Sequence, residues 1–412
     1  MELKAILKEL SIEDCYKNLK KEWNQSETLL DTTDILSAKF ISENAKLAGI
    51  DNETIVYIIE FAKKINNNPS LKRLFIHMHY MFFISPDNIK NIANNSLKME
   101  NILKEKGFSY NLLLALSGVN VCKQYFNSLS MPKDVSEGTI KDISLWVTHF
   151  KNNLGVTGLN TRMLLWECGL LKGKLYRLGR LQFNIRPFKG KVIAFRNKKT
   201  NLVQALLDDG IAINTSGQFD GVNGVFDKAG AWTSSLVRNN QQVSGNPVSP
   251  QGNAQNKTLC LNLSEWDEVL APGDPIIDTH IPAGEKLDIQ TCAKSMQYAI
   301  KFFAKYFPDK SFKGWACHSW FLDNQYEMIL PEHSNILKFQ RELYLYPINE
   351  GGEDSYWRIF GENGMKDGIE KAPRNNSMQR AIAEFIEKGG KLRAGGGFFL
   401  KDDMLWGKQV YN

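Results

Sequence analysis

The sequence lacks the closely spaced cysteines from which zinc knuckles and redox centres are built. None of its six cysteines stands in a CxxC or CxxH arrangement, and the two nearest ones, Cys292 and Cys317, are 25 positions apart. This spacing offers no ligand pair for a structural metal and no dithiol for redox exchange. We therefore predict that the protein holds no metal and that its cysteines are reduced, as cytoplasmic cysteines usually are.

Long apolar runs and blocks of like charge are also missing. The most apolar stretch, residues 112–121, is interrupted by Ser117, Gly118 and Asn120, and the charged segment Met1–Trp23 contains no apolar core of the signal-peptide type. The net charge of +6 is spread along the chain. These absences predict a cytoplasmic protein that neither spans a membrane nor binds nucleic acid.

The composition is that of a globular protein with two domains, or with one large domain and an appendage. Of the 412 residues, 43% are hydrophobic and 23% are charged, which excludes the disordered and collagen-like classes. A helical stripe opens at Asp34 and a second one at Asp51, a predicted helix cap. Further helices are predicted at 70–83, 86–105, 108–129, 136–152 and 161–170. We place a boundary at Met131-Pro132, which gives an all-α domain over 1–132 and a second domain over 133–412.

The second domain has the pattern of an α+β fold with a mixed sheet. An antiparallel meander starts at Tyr176, and the polar segment 214–257 is too long for an ordinary connection, so it is either mobile or a functional loop. A strand at 275–281, a helix at 288–307 and a strand at 313–323 then predict a parallel pair with a crossover helix. The stretches ELYLYPI and SYWRIFG are predicted strands, and a helix at 377–388 follows them.

The turn between the strand at 275–281 and the next helix is a candidate anion site. Pro282, Ala283 and Gly284 lead to a helix start at Asp288, where backbone N–H groups are free to bind an anion. Lys286 adds a positive charge there. The same pattern also occurs in purely structural turns, and a capping Asp288 would offset part of the positive end, so both interpretations stay open.

Asp278 and His280 stand two residues apart on that strand and therefore share one face of the sheet. A carboxylate beside an imidazole orients the ring, and such a histidine is suited to act as a general base. The structural alternative is a partly buried histidine that binds a backbone carbonyl.

Alternation along GWACHSWFLD places Cys317 and His318 on opposite faces of the strand, which argues against a nucleophile and base pair between them. We predict that Cys317 is a buried small apolar residue, and that Ser319 and Asp323 make polar contacts at the end of the strand. The triplet Gly395–Gly397 does not precede a helix and is predicted to be a turn or bulge.

Six motifs, in one order over about 210 residues, resemble the GNAT-like acyltransferases that have a separate helical N-terminal domain. The motifs are LGRLQF at 178–183, SGNPVSPQG at 244–252, GDPIIDTHIPAG at 273–284, CHSWFLD at 317–323, SNILKFQ at 334–340 and MQRAIAEFIEKGG at 378–390. The first 130 residues resemble that helical domain in position and texture. The turn IPAGEKLD departs from the usual Gln/Arg-x-x-Gly-x-Gly/Ala run of the family.

The resemblance implies a GNAT fold, in which two central strands splay apart and the pantetheine arm of acetyl-CoA or a longer acyl-CoA lies between them. The pyrophosphate then rests at the start of the following helix. The residues implied to hold the coenzyme are Ile281, Ala283, Gly284, Lys286, Ser319 and Asp323.

The resemblance also implies a reaction in which an amine or hydroxyl of a small metabolite attacks the thioester directly. His280 is then the general base or the residue that positions a water, and Tyr326 is the group that protonates the departing sulfur; Asp278 is the partner that the strand alternation gives to His280. Two alternatives remain: a non-catalytic protein that binds a small molecule or a partner on a GNAT scaffold, and a thiol hydrolase built on Cys317.

Overall fold

A computed structural model describes residues 2–85, 97–403 and 405–411 of the chain. The start of the helix predicted at 86–105 lies outside these residues. The chain divides into two compact units: the first contains the residues up to Leu178 together with Pro282–Gly284, and the second contains Gly179–Ile281 and Glu285–Asn412. The boundary predicted after Pro132 falls within the first unit, between two of its helices.

The first unit is helical, as the sequence predicts. Its α-helices are α1 (Leu3–Glu9), α2 (Tyr16–Leu19), α3 (Ala38–Leu47), α4 (Asn52–Asn66), α5 (Pro69–His79), α6 (Met99–Leu103), α7 (Glu105–Ser117), α8 (Val119–Ser128), α9 (Lys133–Ile140), α10 (Asp142–Leu154) and α11 (Thr161–Leu171). The carboxylate of Asp51 caps α4 as predicted, by accepting a hydrogen bond from Thr54 N at 2.9 Å. The predicted helix start at Asp34 is wrong, because Ser37 caps α3 and the helix begins at Ala38.

The second unit begins as an antiparallel meander. Its first strands are β2 (Leu181–Pro187), β3 (Val192–Asn197), β4 (Val203–Leu207) and β5 (Ala212–Ile213), and the short β1 (Tyr176–Leu178) precedes them at the end of the first unit. The polar segment 214–257 contains β6 (Trp232–Thr233), β7 (Leu236–Arg238), β8 (Gln242–Gly245) and β9 (Pro247–Val248). With β10 (Leu259–Asn262) and β11 (Trp266–Leu270), these strands form small antiparallel sheets.

Five strands of the main sheet lie in the second unit, in the order β2-β12-β13-β15-β14. The new members are β12 (Pro275–His280), β13 (Gly314–Ser319), β14 (Tyr344–Gly351) and β15 (Arg393–Leu400). The β12–β13 pair is parallel and the other pairs in this order are antiparallel. Helix α12 (Ile289–Tyr306) connects β12 to β13, which confirms the predicted strand–helix–strand unit and the mixed sheet.

The remaining helices are α13 (Tyr326–Ile329), α14 (Asn335–Gln340), α15 (Glu353–Phe360) and α16 (Ser377–Glu387). Two predictions fail in this region. The stretch SYWRIFG is not a strand but part of α15, since Ser355, Ile359 and Phe360 are buried at helical spacing behind an acidic first turn. The triplet Gly395–Gly397 is not a turn but lies inside β15, where a Cβ at Gly395 would lie 2.0 Å from the backbone oxygen of Leu322.

None of the helices in the described part of the chain is both long enough and apolar enough to cross a membrane.

Candidate active site

The strands β12 and β13 separate before either of them ends. In this fully described stretch they pair with each other at Ile277 with Trp315 and at Asp278 with Ala316. The pairing of β12 with β2 continues to His280, and that of β13 with β15 continues to Ser319. The parallel ladder therefore stops two residues before the end of β12. We term the region between these two strand ends, past the last ladder pair, the opening.

A buried carboxylate organises the β12 side of this opening. The side chain of Asp278 is 2% exposed, and its Oδ1 accepts a hydrogen bond from Arg186 Nη2 at 2.7 Å. Its Oδ2 lies 2.7 Å from Nε2 of His280, so the structure brings together the two residues that the alternation of the strand placed on one face. The side chain of His280 is 29% exposed and therefore reaches solvent.

The charge state of Asp278 follows from these contacts. Burial favours the neutral acid and so raises its pKa, but the close contact with His280 and the positive charge of Arg186 outweigh it, with a smaller contribution from the nearby His318. The net effect lowers the pKa of Asp278. The carboxylate is therefore ionised at neutral pH and lies in contact with the His280 ring.

A second pair lies on the same face of the sheet, on the β13 side of the opening. Nε2 of His318 is 2.7 Å from the hydroxyl oxygen of Tyr346 in β14. The two residues are not on adjacent strands, because Gly396 of β15 lies between them in the register. A Cβ at Gly396 would lie 2.2 Å from the Tyr346 ring, so only glycine leaves room for this contact.

The electrostatic setting of this pair keeps both members neutral. Burial, and after it the positive charge of Arg186, lowers the pKa of His318 to about 4, against the opposing effect of Asp278. Burial also raises the pKa of Tyr346 well above its usual range. The opening therefore has a histidine in contact with a carboxylate on one side and a neutral histidine on the other.

The start of α12 is arranged by Asp288 and Arg180. As predicted, Asp288 is the N-cap, and its carboxylate accepts hydrogen bonds from the backbone nitrogen and hydroxyl of Thr291. Arg180 belongs to the motif LGRLQF and is buried. Its guanidinium donates to the carbonyl oxygens of Glu285 at 2.8 Å and of Lys286 at 3.3 Å, so it holds the residues that lead into the helix.

The other residues predicted to hold the coenzyme are distributed between the two units. Ile281 and the exposed Lys286 belong to the second unit. Ala283 and Gly284 belong to the first, where Gly284 has a φ of +106° that glycine adopts without strain. The hydroxyl of Ser319 accepts a hydrogen bond from Phe321 N at the turn that follows β13, so that strand ends four residues earlier than predicted.

Asp323, Tyr326 and Cys317 make internal contacts. The buried carboxylate of Asp323 accepts a hydrogen bond from the backbone nitrogen of Arg393 at 2.9 Å. Tyr326 is completely buried in a separate cluster that includes Leu337 and Ile382, and burial raises its pKa well above the usual value. Cys317 is 4% exposed and lies on the face opposite His318, as predicted, and burial raises the pKa of its thiol.

Sequence reasoning missed Arg180, Arg186, His318 and Tyr346 as members of this arrangement. The alternation of Gln182, Asn184 and Arg186 along β2 was the available signal, since polar residues at every second position of a strand indicate a polar face. Within the described residues, no group of three or more His, Cys, Asp or Glu side chains is arranged to hold a metal ion.

Residues 175–399, more than half of the chain, match the family model described as GNAT-like C-terminal domain. No curated protein sequence matches the chain significantly.

Several solved structures share the fold over nearly the whole chain. A mutant acyltransferase in complex with octanoyl-CoA and an acyltransferase in complex with decanoyl-CoA and teicoplanin each have a TM-score of 0.63 and 18% identity, over 97% of this chain and 99% of theirs. An acyltransferase in complex with CoA and 10C-teicoplanin has a TM-score of 0.55 and 17% identity, over 87% of this chain and 99% of its own.

Proposed function

The chain belongs to the family defined by the GNAT-like C-terminal domain, and from this premise we propose that it is an acyl-CoA-dependent acyltransferase. The acceptor is an amine or hydroxyl of a small metabolite, and no metal takes part. The observation that carries the proposal is the early end of the β12–β13 ladder, beside which Asp278 and His280 are already in contact. The similar structures that contain octanoyl-CoA and decanoyl-CoA support a donor of this class.

The donor is proposed to bind between the separated ends of β12 and β13. An extended pantetheine arm has amide groups that suit the backbone edges of two strands. Its phosphates then lie toward α12, where Lys286 is exposed and the guanidinium of Arg180 adds positive charge near the helix start. The assignments of Ile281, Ala283, Gly284, Ser319 and Asp323 to coenzyme binding stay predictions from the sequence.

His280 is proposed as the general base. Its Nε2 lies 2.7 Å from Oδ2 of Asp278, and the proposed tautomer carries its hydrogen there and has Nδ1 as the acceptor. The attacking nitrogen or oxygen forms a bond to the thioester carbon and passes a proton to Nδ1 while the carbon–sulfur bond breaks. Asp278 then offsets the positive charge that the ring has gained. We assign no proton transfer to Tyr326, because its hydroxyl is buried in another cluster.

The test is thiol release from acetyl-, octanoyl- and decanoyl-CoA in the presence of a panel of amines and alcohols. We expect turnover by the wild type, a loss of about 10²-fold or more in His280→Ala, and unchanged turnover in His333→Ala, which alters an exposed histidine. Binding of acyl-CoA without turnover under any condition would instead favour the non-catalytic binding protein. Equal rates in His280→Ala and the wild type would refute the assignment of the base.

A further inference from the structure

We propose that His318 is a second catalytic residue, which donates a hydrogen bond from Nδ1 to the thioester carbonyl oxygen as that oxygen becomes negatively charged. This inference rests on the proposed acyltransferase function. His280 on β12 is the proposed base, and His318 on β13 would polarise the thioester carbonyl.

The register places His318 opposite His280. The parallel pairing joins Asp278 with Ala316, so two residues further along each strand His280 is level with His318. Paired residues of parallel strands point to the same face, and every second residue returns to it. The two imidazoles therefore lie on one face of the sheet, on either side of the opening that we assign to the thioester.

The contact with Tyr346 sets the tautomer of His318. Tyr346 is 1% exposed, and its ring contacts Phe188 and Phe398. Among the described residues, Nε2 of His318 is the one hydrogen-bond partner found for its hydroxyl, at 2.7 Å. The phenol must therefore donate to Nε2, because its hydrogen would otherwise be buried without an acceptor. Nε2 is then the acceptor and the ring hydrogen lies on Nδ1.

The charges around His318 suit this role. Burial and the positive charges of Arg186 and Lys189 lower its pKa, Asp278 acts in the opposite direction, and the net value is about 4. A ring that is neutral at pH 7 donates a hydrogen bond to a carbonyl oxygen without giving up the proton. A donor already in place where negative charge develops lowers the barrier, since no rearrangement is needed during the reaction.

The covalent bonds of His318 do not change during the reaction. The acceptor nitrogen forms a bond to the carbonyl carbon, and the π pair moves to the oxygen that Nδ1–H contacts. When the carbonyl re-forms, the carbon–sulfur pair leaves with the thiolate, and the proton of the amine remains on His280.

The experiment compares His318→Ala, His318→Gln, Tyr346→Phe and the surface control His333→Ala in full steady-state kinetics. We expect His318→Ala to lower kcat about 10²- to 10³-fold, with the KM for acyl-CoA changed less than about threefold. His318→Gln keeps an N–H donor, so its kcat should be about tenfold higher than that of His318→Ala. Tyr346→Phe removes the hydroxyl that donates to Nε2 of His318, so the tautomer is no longer fixed, and kcat should decrease about tenfold.

A binding measurement separates this role from space filling. A thioether analogue of the donor, in which a methylene replaces the carbonyl, should bind His318→Ala and the wild type equally. Weaker binding of the thioether by the variant would assign His318 to packing and overturn the inference. So would kcat in His318→Ala within about threefold of the wild type.

The tautomer is open to a test on the unmodified protein. ¹⁵N NMR at pH 7 should find His318 neutral with its hydrogen on Nδ1, and a hydrogen on Nε2 would contradict the argument. An inactive wild type would overturn the proposed function and this inference together, whereas an active wild type with an equally active His318→Ala would overturn this inference alone.

Discussion

Replacement of Asp278 by asparagine tests the contacts that this carboxylate makes with Arg186 and His280. Asp278→Asn keeps the size and shape of the side chain but removes the negative charge that faces Arg186 and His280, each at 2.7 Å. An asparagine amide group is also able to donate toward Nε2, which would favour the tautomer with the hydrogen on Nδ1. In that tautomer Nδ1 of His280, which should receive the proton from the acceptor, already carries a hydrogen.

The contacts set the expected magnitudes. Loss of the correct tautomer of a catalytic histidine costs up to about 10⁴-fold in kcat in enzymes of the Ser-His-Asp type, and we expect about 10²- to 10⁴-fold here. The effect on stability is smaller than for a fully buried ion pair, because the side chains of Arg186 and His280 are 31% and 29% exposed and water resolvates them. We expect a loss of about 2 kcal/mol in the free energy of unfolding.

The pH dependence of that loss has a definite sign. The folded protein lowers the pKa of Asp278 below its unfolded value. Its stabilising contribution is therefore complete above the unfolded pKa of about 3.9 and disappears as the pH falls through the lower folded value. The difference in unfolding free energy between Asp278→Asn and the wild type should narrow below about pH 4.

The assay is denaturant unfolding at several pH values combined with thiol-release kinetics. Asp267→Asn is the matched control, because Asp267 lies on a strand and forms an exposed ion pair with Lys198. We expect the control to change stability by less than about 0.5 kcal/mol and to leave turnover unchanged. Wild-type kcat in a folded Asp278→Asn would refute the reasoning about the tautomer.

Three further predictions concern other parts of the chain. Lys286→Glu should weaken CoA binding, increasingly at lower salt, whereas the exposed control Lys301→Glu should not; equal binding at every salt concentration would place the anion elsewhere. Cys317→Ala should keep turnover, and in the intact protein Cys317 should react with iodoacetamide more slowly than the exposed Cys260, because its thiol is buried and its pKa is raised; loss of turnover in a folded variant would favour the thiol hydrolase. Burial lowers the pKa of both His77 and His79 to about 4. Since these histidines bind protons more readily in the unfolded chain, the free energy of unfolding should decrease as the pH is lowered from about 6.5 to 4. In His77→Gln this decrease should be less steep than in the wild type.

The parts of the fold that follow from local patterns were predictable from the sequence. The strand–helix–strand order around α12, the caps at Asp51 and Asp288 and the shared face of Asp278 and His280 all depend on residues within a few positions of each other. These features need only side-chain alternation and helix capping. The family motifs added the expectation that the two strands diverge.

The parts that depend on long-range register were not predictable in the same way. Tyr346 reaches His318 only because β15, which comes later in the chain than both, pairs between β13 and β14. The helix α15 was mistaken for a strand because SYWRIFG is rich in residues that favour strands, while its packing follows a helical period. Tyr326 is adjacent to the site in sequence but packs into another cluster.

A position that no substrate needs to touch governs the chemistry on β13. At Gly396 the absence of a side chain gives a phenol on one strand access to an imidazole two strands away. Even a single methyl group at this position would separate them, so a mutational screen for activity should find Gly396 nearly as intolerant as His318 itself.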